Sequence, residues 1–349
     1  MKTGIAAPEV ERLLELVQRF SDQPVLMLVD MVADRFISGS PKRISREAPV
    51  LILRFENELV TPGGGANAVA NVAALGGTPL PLGIVGDDAS GQALLATLEE
   101  RGVSTAGILV RPGYNTPTKT RILGGGRHAI KQQIVRYDVE EARELSAGER
   151  EELSRRLTPW TGRASVCVMS DYGYGTVLPE LVSTLRGALG EPALVVADSR
   201  FQLDRFRGVD ALTPNEEEAE ALLGSPLEER AAEVADQGRS LLARLSAHAL
   251  LITRGSHGMN LISADDAVEI PVHGTDQVAD VTGAGDTVIG TFALALAAGA
   301  NPVEAALLAN YAGGVVVMKT GTATLTREEL EDAIRGDQGL IQELRWEKL

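Results

Sequence analysis

Cysteine is almost missing from this chain: 349 residues contain one, Cys167. No intramolecular disulfide can form, and a zinc site built on cysteines is excluded. Histidine is scarce as well. The four residues His128, His248, His257 and His273 are scattered and form no His-Glu-x-x-His pair. Aromatic residues make up 4% of the chain, too few for the stacking platforms of a single-stranded nucleic-acid reader. Basic residues are outnumbered, 33 Lys+Arg against 48 Asp+Glu, which leaves a net charge of −15. Nucleic acid and anionic membrane surfaces are bound by Lys/Arg patches, so neither is expected as the main partner. The longest apolar stretch, Val288 to Ala300, is shorter than the ~20 residues a membrane span needs. Met1 to Pro24 has no basic region followed by an apolar run, so a cytoplasmic protein is expected. No Gly-x-x-x-x-Gly-Lys-Ser/Thr phosphate loop is present.

What is present is apolar mass and glycine. Hydrophobic residues are 44% of the chain and glycines number 37, a composition suited to a globular α/β enzyme with glycine loops. Val10, Leu13, Leu14, Val17 and Phe20 fall on one face of an N-terminal helix. From Val25 onward, short apolar strands alternate with helices. Strands are expected at Val25–Val29, Pro81–Val85, Ser165–Met169, Ala193–Ala197 and Ala249–Thr253. Closing helices are expected near Ala284–Ala298, Pro302–Lys319 and Arg327–Arg335. This alternation implies a mostly parallel sheet covered on both faces. Two stretches, residues 33–56 and 116–138, are strand-like without helical spacing. They are expected to pair into a small lid sheet, or to remain surface hairpins. Open lid edges, with apolar positions such as Val50, Ile52 and Ile134, make a homodimer plausible.

Three glycine-rich sites carry the chemistry. Gly63-Gly64-Gly65-Ala66-Asn67 opens a helix, where free N–H groups and bare backbone allow close approach of a ligand. Gly63, Gly65 and Ala68 also fit Gly-x-Gly-x-x-Ala with Asp87 downstream, so a dinucleotide-dependent oxidoreductase is one alternative. Asp280-Val281-Thr282-Gly283-Ala284-Gly285-Asp286 runs into an apolar helix. The N–H groups of Gly283, Ala284 and Gly285 sit where the helix dipole favours an anion. Asp286 beside that anion hole is either a cap or a general base for an attacking hydroxyl. Thr253-Arg254-Gly255-Ser256-His257-Gly258 joins two late strands. Asn215 and Glu218, three apart at a helix start, offer oxygens suited to Mg²⁺, or form a solvated acidic face.

In this order the motifs resemble the PfkB/ribokinase family of sugar kinases. The resemblance rests on Gly-Gly-x-x-Asn, then Asn-x-x-Glu, then Gly-Ala-Gly-Asp, and covers about Val25 to Leu330. It implies a ribokinase-like three-layer α/β/α sandwich with a small β-sheet lid. It divides the chain into a helical extension (1–24), a kinase domain (25–335) holding the lid segments, and a tail (336–349). It also implies roles. Asp286 is the base, with Gly283, Ala284 and Gly285 as the anion hole. Asp34, Gly64, Gly65 and Asn67 bind sugar hydroxyls. Asn215, Thr253, Gly255, Gly258, Asn310 and Gly314 line the ATP site, with Mg²⁺ near Asn215 and Glu218. Within the family the chain is most similar to D-glycero-β-D-manno-heptose 7-phosphate kinases. The segments carrying this are Asp34-Arg35-Phe36, residues 43–50, residues 132–138, Thr213-Pro214-Asn215-Glu216 and residues 280–289. That similarity implies phosphorylation of the anomeric hydroxyl to the 1,7-bisphosphate, with Lys119, Arg121 and Arg136 holding a sugar phosphate. It further implies that this chain is the kinase half of relatives that also carry a nucleotidylyltransferase domain. Three residues depart from the pattern: Val29 stands in place of Gly, and Tyr174 and Arg200 in place of Lys. Other readings are a kinase of another sugar, or a non-catalytic sugar- or nucleotide-binding protein on the same fold.

Overall fold

A computed structural model describes residues 8–126, 131–190, 193–274 and 279–348; His128 and Ile130 of the second lid segment, and residues 1–7, lie outside these. Helix α1 (Val10–Gln18) leads into strand β1 (Pro24–Val29), whose six residues are Pro-Val-Leu-Met-Leu-Val. Such a continuous apolar run suits a strand covered on both faces. Its alternate side chains divide accordingly. Val25, Met27 and Val29 enter one core with Leu13, Val69, Phe292 and Leu307, while Leu26 and Leu28 enter the other with Leu153, Leu185 and Leu241.

The chain then leaves the main sheet through β2 (Met31–Ile44) and returns along β3 (Leu51–Gly64) into α2 (Gly65–Ala74). Strand β4 (Thr78–Gly86), α3 (Ala89–Glu100) and β5 (Ile108–Arg111) complete one side of the main sheet. Strands β6 (Thr118–Gly124) and β7 (Gln132–Val139) go back to the lid. Helix α4 (Ala147–Leu157), β8 (Val166–Asp171), α5 (Val182–Leu189), β9 (Leu194–Ser199) and β10 (Ala211–Leu212) follow. Next come α6 (Glu216–Leu223), α7 (Ala231–Leu245), β11 (Ala249–Thr253), β12 (Met259–Ser263) and β13 (Asp266–Ile270). Helices α8 (Ala284–Ala297), α9 (Pro302–Val316) and α10 (Arg327–Gly336) precede β14 (Arg345–Lys348).

The main sheet has ten strands in the order β14-β13-β12-β11-β10-β9-β8-β1-β4-β5, parallel from β11 to β5. The lid is a four-stranded sheet, β3-β2-β6-β7. The α/β sandwich with a β lid is therefore the observed architecture. Among the described residues, no helix is long and apolar enough to cross a membrane.

Two strands exceed what the sequence reading expected. The sequence pattern ends the second lid strand near Phe55, yet β3 continues to Gly64. Residues 54–59 are exposed, so no buried face imposes an apolar/polar alternation there. The strand is held instead by its antiparallel ladder to β2, which pairs Asp34 with Thr61 and Met31 with Gly64. Likewise Arg345-Trp346-Glu347-Lys348, read as a tail, pairs antiparallel with β13. One apolar residue in four leaves no periodic signal.

Candidate active site

The parallel strands β8, β9, β10 and β11 end on one side of the sheet, and the lid stands over that side. Between them lies a cavity of about 910 Å³. Ligand sites of open α/β sheets lie at this end of the strands. The strand ends contribute Asp171, Asp198, Thr213 and Thr253, and the loops after them Tyr172, Arg200 and Asn215. The lid contributes Asp34, Lys119, Arg121 and Arg136. The start of α8 closes the floor with Gly283, Gly285 and Asp286.

That start is tightly fixed. Gly283 caps α8 with φ +80, and a Cβ there would lie 2.5 Å from Asn67 Nδ2, so only glycine fits. Asp280 ties the loop down, accepting hydrogen bonds from Thr282 N at 2.9 Å and Gly321 N at 3.0 Å. Gly285 is different. A Cβ there meets nothing within 4 Å, so the protein's own packing does not explain a glycine in a helix's first turn. Bare backbone facing a cavity suits close approach of a ligand; a helix's first-turn N–H groups have no helical partners of their own, and here Ala284 N donates to the Val281 carbonyl at 3.2 Å.

Asp286 is 3% exposed. Its Oδ1 accepts from the Tyr172 hydroxyl at 2.7 Å and its Oδ2 from Asn67 Nδ2 at 3.2 Å. Burial pushes its pKa up to about 7, against the pull of those two hydrogen bonds. A carboxylate of that strength takes a proton effectively near neutral pH. Asn67 is itself steadied by α2, where Asn71 Nδ2 donates to its carbonyl at 3.0 Å. Gly65 opens the same helix and packs on Val29, whose Cβ a methyl at position 65 would meet at 2.5 Å.

The cations of the lid separate into paired and unpaired. Arg121 donates to Asp34 Oδ1 at 2.5 Å, and both side chains are largely buried. Arg136 forms a two-point pair with Asp138. Lys119 has no ion pair among the described residues; its ammonium lies over the Tyr172 ring, 5.1 Å from the centroid. Burial lowers its pKa, Asp34 opposes that, and Arg200 and Arg136 lower it further. Lys119, Arg136 and Arg200 thus put positive charge around one part of the cavity.

Also along the cavity, Asn215 caps α6 and pairs with Thr253 through an isolated parallel bridge. Asn215 Oδ1 accepts from Glu218 N at 2.8 Å, and Glu218 Oε2 accepts from Asn215 N at 3.0 Å. The three-residue spacing is therefore a capping box, and both residues still line the cavity. Burial raises the pKa of Glu218. Burial also lifts Asp198 well above the ordinary carboxylate range, and Glu218 and Asp286 add to the rise. Carboxylates crowded in this way favour a cation among them, and their oxygens suit Mg²⁺. Among the described residues no group of three or more His, Cys, Asp or Glu makes a protein-only metal centre.

The remaining nucleotide-site expectations scatter. Thr253 lines the cavity, whereas Gly255, Gly258, Asn310 and Gly314 do not. Asn310 is 2% exposed, and its amide donates to the Pro271 carbonyl at 2.8 Å. The dinucleotide fingerprint is not supported. Its strand would be parallel within a βαβ unit, but β3 is a lid strand antiparallel to β2.

The sequence profile of the pfkB family carbohydrate kinases matches residues 26–329. The chain belongs to the PfkB family of carbohydrate kinases. It is 39% identical to the bifunctional protein HldE of Mesorhizobium japonicum over 95% of this chain and 66% of that one. It is 41% identical to the bifunctional protein HldE of Methylococcus capsulatus over 91% of this chain and 65% of that one. The chain thus spans just under two thirds of the length of these relatives. Phosphofructokinase-2 from Escherichia coli shares the fold, with a TM-score of 0.71 at 18% identity over 89% of this chain and 98% of that one. So does Arabidopsis thaliana ribokinase complexed with ribose and ATP, with a TM-score of 0.69 at 19% identity over 90% of this chain and 99% of that one.

Among the residues of this PfkB site not singled out from sequence are Tyr172 and Asp198. Tyr172 touches Asp286, and Asp198 lines the cavity between Glu218 and Asp286. Neither belongs to a spaced motif; an acidic residue closing an apolar strand was the one available signal for Asp198. Of the departures, Arg200 lines the cavity. Tyr174 does not, and its hydroxyl donates to Glu140 at 2.9 Å.

Proposed function

We propose that this PfkB-family kinase transfers the γ-phosphoryl group of ATP to the anomeric hydroxyl of D-glycero-β-D-manno-heptose 7-phosphate, giving the 1,7-bisphosphate. The observation that carries the phosphotransfer is Asp286: a buried carboxylate of raised pKa at the N-terminus of α8, in one cavity with Asp34 and the lid cations. Asp286 takes the proton of the anomeric hydroxyl as its oxygen bonds to the γ-phosphorus. The bond to the β-phosphate oxygen breaks and ADP leaves. Backbone N–H groups of Gly283, Ala284 and Gly285 stabilise the charge on the transferring group. Asp34, Gly64, Gly65 and Asn67 hold the sugar. Asn215 and Glu218 would hold Mg²⁺, which would supply neutralisation of the nucleotide's negative charge. Thr253 borders the nucleotide, and Gly255, Gly258, Asn310 and Gly314 shape the loops and helix behind it.

The heptose 7-phosphate assignment rests on the sequence segments similar to heptose kinases and on the cationic part of the cavity. Arg121 is already neutralised by Asp34 and Arg136 by Asp138, which leaves Lys119 as the lid cation best placed for a phosphate. A second reading keeps the kinase and changes the acceptor; the Tyr174 and Arg200 departures favour it. ATP consumption across phosphorylated and free heptoses, hexoses and pentoses separates the two. Heptose 7-phosphate is expected to exceed free heptose in kcat/KM by about a hundredfold or more, the worth of roughly 3 kcal/mol of phosphate contacts. Equal rates with and without the 7-phosphate would contradict the assignment.

The assembly proposed is a homodimer formed through the lids. Val50, just before β3, is 55% exposed and Ile134 on β7 is 47% exposed, and among the described residues the outer edges of β3 and β7 lack partners. Sedimentation is expected to give a dimer that Val50→Glu with Ile134→Glu converts to monomer. A monomeric parent protein would refute this.

A further inference from the structure

Beneath the site lies a buried carboxylate that the chemistry above does not use. Asp30 follows β1, is 0% exposed, and touches no part of the cavity. Its Oδ2 accepts from Tyr172 N at 2.9 Å and Tyr174 N at 3.0 Å, and its Oδ1 from Thr176 N at 3.1 Å. The loop after β8 is thereby wrapped around one carboxylate, with Gly173 at φ +79 and Gly175 at φ +91 turning alternate N–H groups inward. A second carboxylate, Asp171, steadies the same turn by accepting from Gly173 N at 2.8 Å and the Ser199 hydroxyl at 2.6 Å.

The product of this wrapping is the direction of one side chain. Tyr172 leaves the loop toward the cavity and donates its hydroxyl to Asp286 Oδ1 at 2.7 Å. Its ring is confined between Gly64, where a Cβ would lie 3.2 Å from Cε2, and the Lys119 ammonium. We propose that Tyr172 is a positioning residue for Asp286, and that the buried carboxylate of Asp30 holds it on target. The inference rests on the reading of Asp286 as the base. The hydroxyl fixes one rotamer of the base and leaves Oδ2, shared with Asn67, to face the acceptor. It also stabilises the ionised form of Asp286, the form that accepts a proton. Tyr172 itself stays protonated, because burial and the neighbouring Asp286 push its pKa well above the ordinary phenol value.

The test is Tyr172→Phe, which keeps the ring, its packing and the Lys119 contact. With the acceptor that supports turnover, kcat is expected to fall about ten- to a hundredfold, the worth of one hydrogen bond to a charged group. KM for ATP and for the sugar should stay within about twofold, since the interaction lies on the base rather than on a substrate. The acid limb of kcat/KM against pH should move to higher pH, because the carboxylate loses a donor. The other groups facing Asp286 are Asn67 from α2, Asp34 from β2, Lys119 from β6 and Asp198 from β9; all remain in the variant. Asp30→Asn is expected to lower kcat through the same hydroxyl, so adding it to Tyr172→Phe should cost little more. An additive loss would overturn the role of Asp30. Unchanged kcat and pH profile in Tyr172→Phe, with Asp286→Asn inactive, would overturn the role of Tyr172 and leave the base in place. An active Asp286→Asn enzyme would instead remove the base reading itself.

Discussion

Asp286→Asn is expected to lose about 10²- to 10⁴-fold in kcat while ATP binds within a few-fold of the parent protein. Asparagine keeps the volume and can still accept from Tyr172, but it has no lone pair basic enough to take the acceptor's proton. Steady-state rates beside calorimetric ATP titration check both halves. Near-normal turnover would remove Asp286 as the base. In the parent enzyme the same carboxyl is expected to set the acid limb of kcat/KM. Activity should rise with pH through about 7 and level above it, as the base ionises. The burial has a stability consequence of definite sign. Below the unfolded-state pKa, near 3.8, both folded and unfolded chains carry the proton. Between there and about 7 the folded chain holds a proton that the unfolded chain has released, so this group's contribution falls as pH rises. Asp286→Asn should therefore melt higher than the parent at pH 8, by a difference on the order of 2–4 kcal/mol, and near equality should return at pH 4. Melting curves at the two pH values read this directly.

Asp34→Ala should damage sugar use by about 10³-fold or more in kcat/KM, mainly through KM for the sugar. Two losses combine. The acceptor hydroxyls lose a carboxylate partner, and the Arg121 guanidinium is left in a largely buried place without its counter-charge. Breaking a buried pair on one side costs about 3–5 kcal/mol, because the remaining charge is uncompensated. Part of that cost disappears when Arg121 is removed as well. The Asp34→Ala, Arg121→Ala double variant should therefore be more stable than the sum of the single losses implies, while its sugar binding remains poor. KM for ATP should change little in all three. A sugar KM unaffected by Asp34→Ala would place the acceptor elsewhere in the cavity.

Much of the scaffold is legible in the sequence, for a physical reason. Strands β1, β8 and β9 are covered on both faces and read as apolar runs. Helix α8 announces itself by Gly-Ala-Gly-Asp before an apolar stretch. The lid was legible as strand-like segments but not in length, because β3 has no buried face over residues 54–59 to impose a pattern. Within the site, local motifs bring Asp286 with Gly283 and Gly285, and Asn215 with Glu218, to the cavity, and Asn67 to Asp286. What spacing alone left undecided was pairing. Lys119 and Arg121 sit two apart on β6, yet one meets the Tyr172 ring and the other Asp34. The β2–β6 register sets Asp34 beside Lys119 and Phe36 beside Arg121, yet the ion pair is the diagonal one between Asp34 and Arg121, so strand pairing alone does not predict it. Tyr172 and Asp286 are 114 positions apart, and no local pattern connects them. Asp30 was invisible for the same reason: its partners are the backbone of residues 172–176, and backbone groups leave no mark in a sequence.

The acidic balance of the chain is compatible with a phosphate-handling site because the site does not rely on bulk cations. In the proposed reading its anion-binding capacity comes from the N–H groups at the start of α8, the dipole of that helix, and Lys119 of the lid with Arg200 nearby.

The most direct measurement is phosphorus NMR of the product formed from D-glycero-β-D-manno-heptose 7-phosphate and ATP. The account predicts a new phosphate resonance coupled to the anomeric proton, beside the retained 7-phosphate, appearing in step with ADP. ADP formed without that resonance, or transfer only to other sugars, would contradict it.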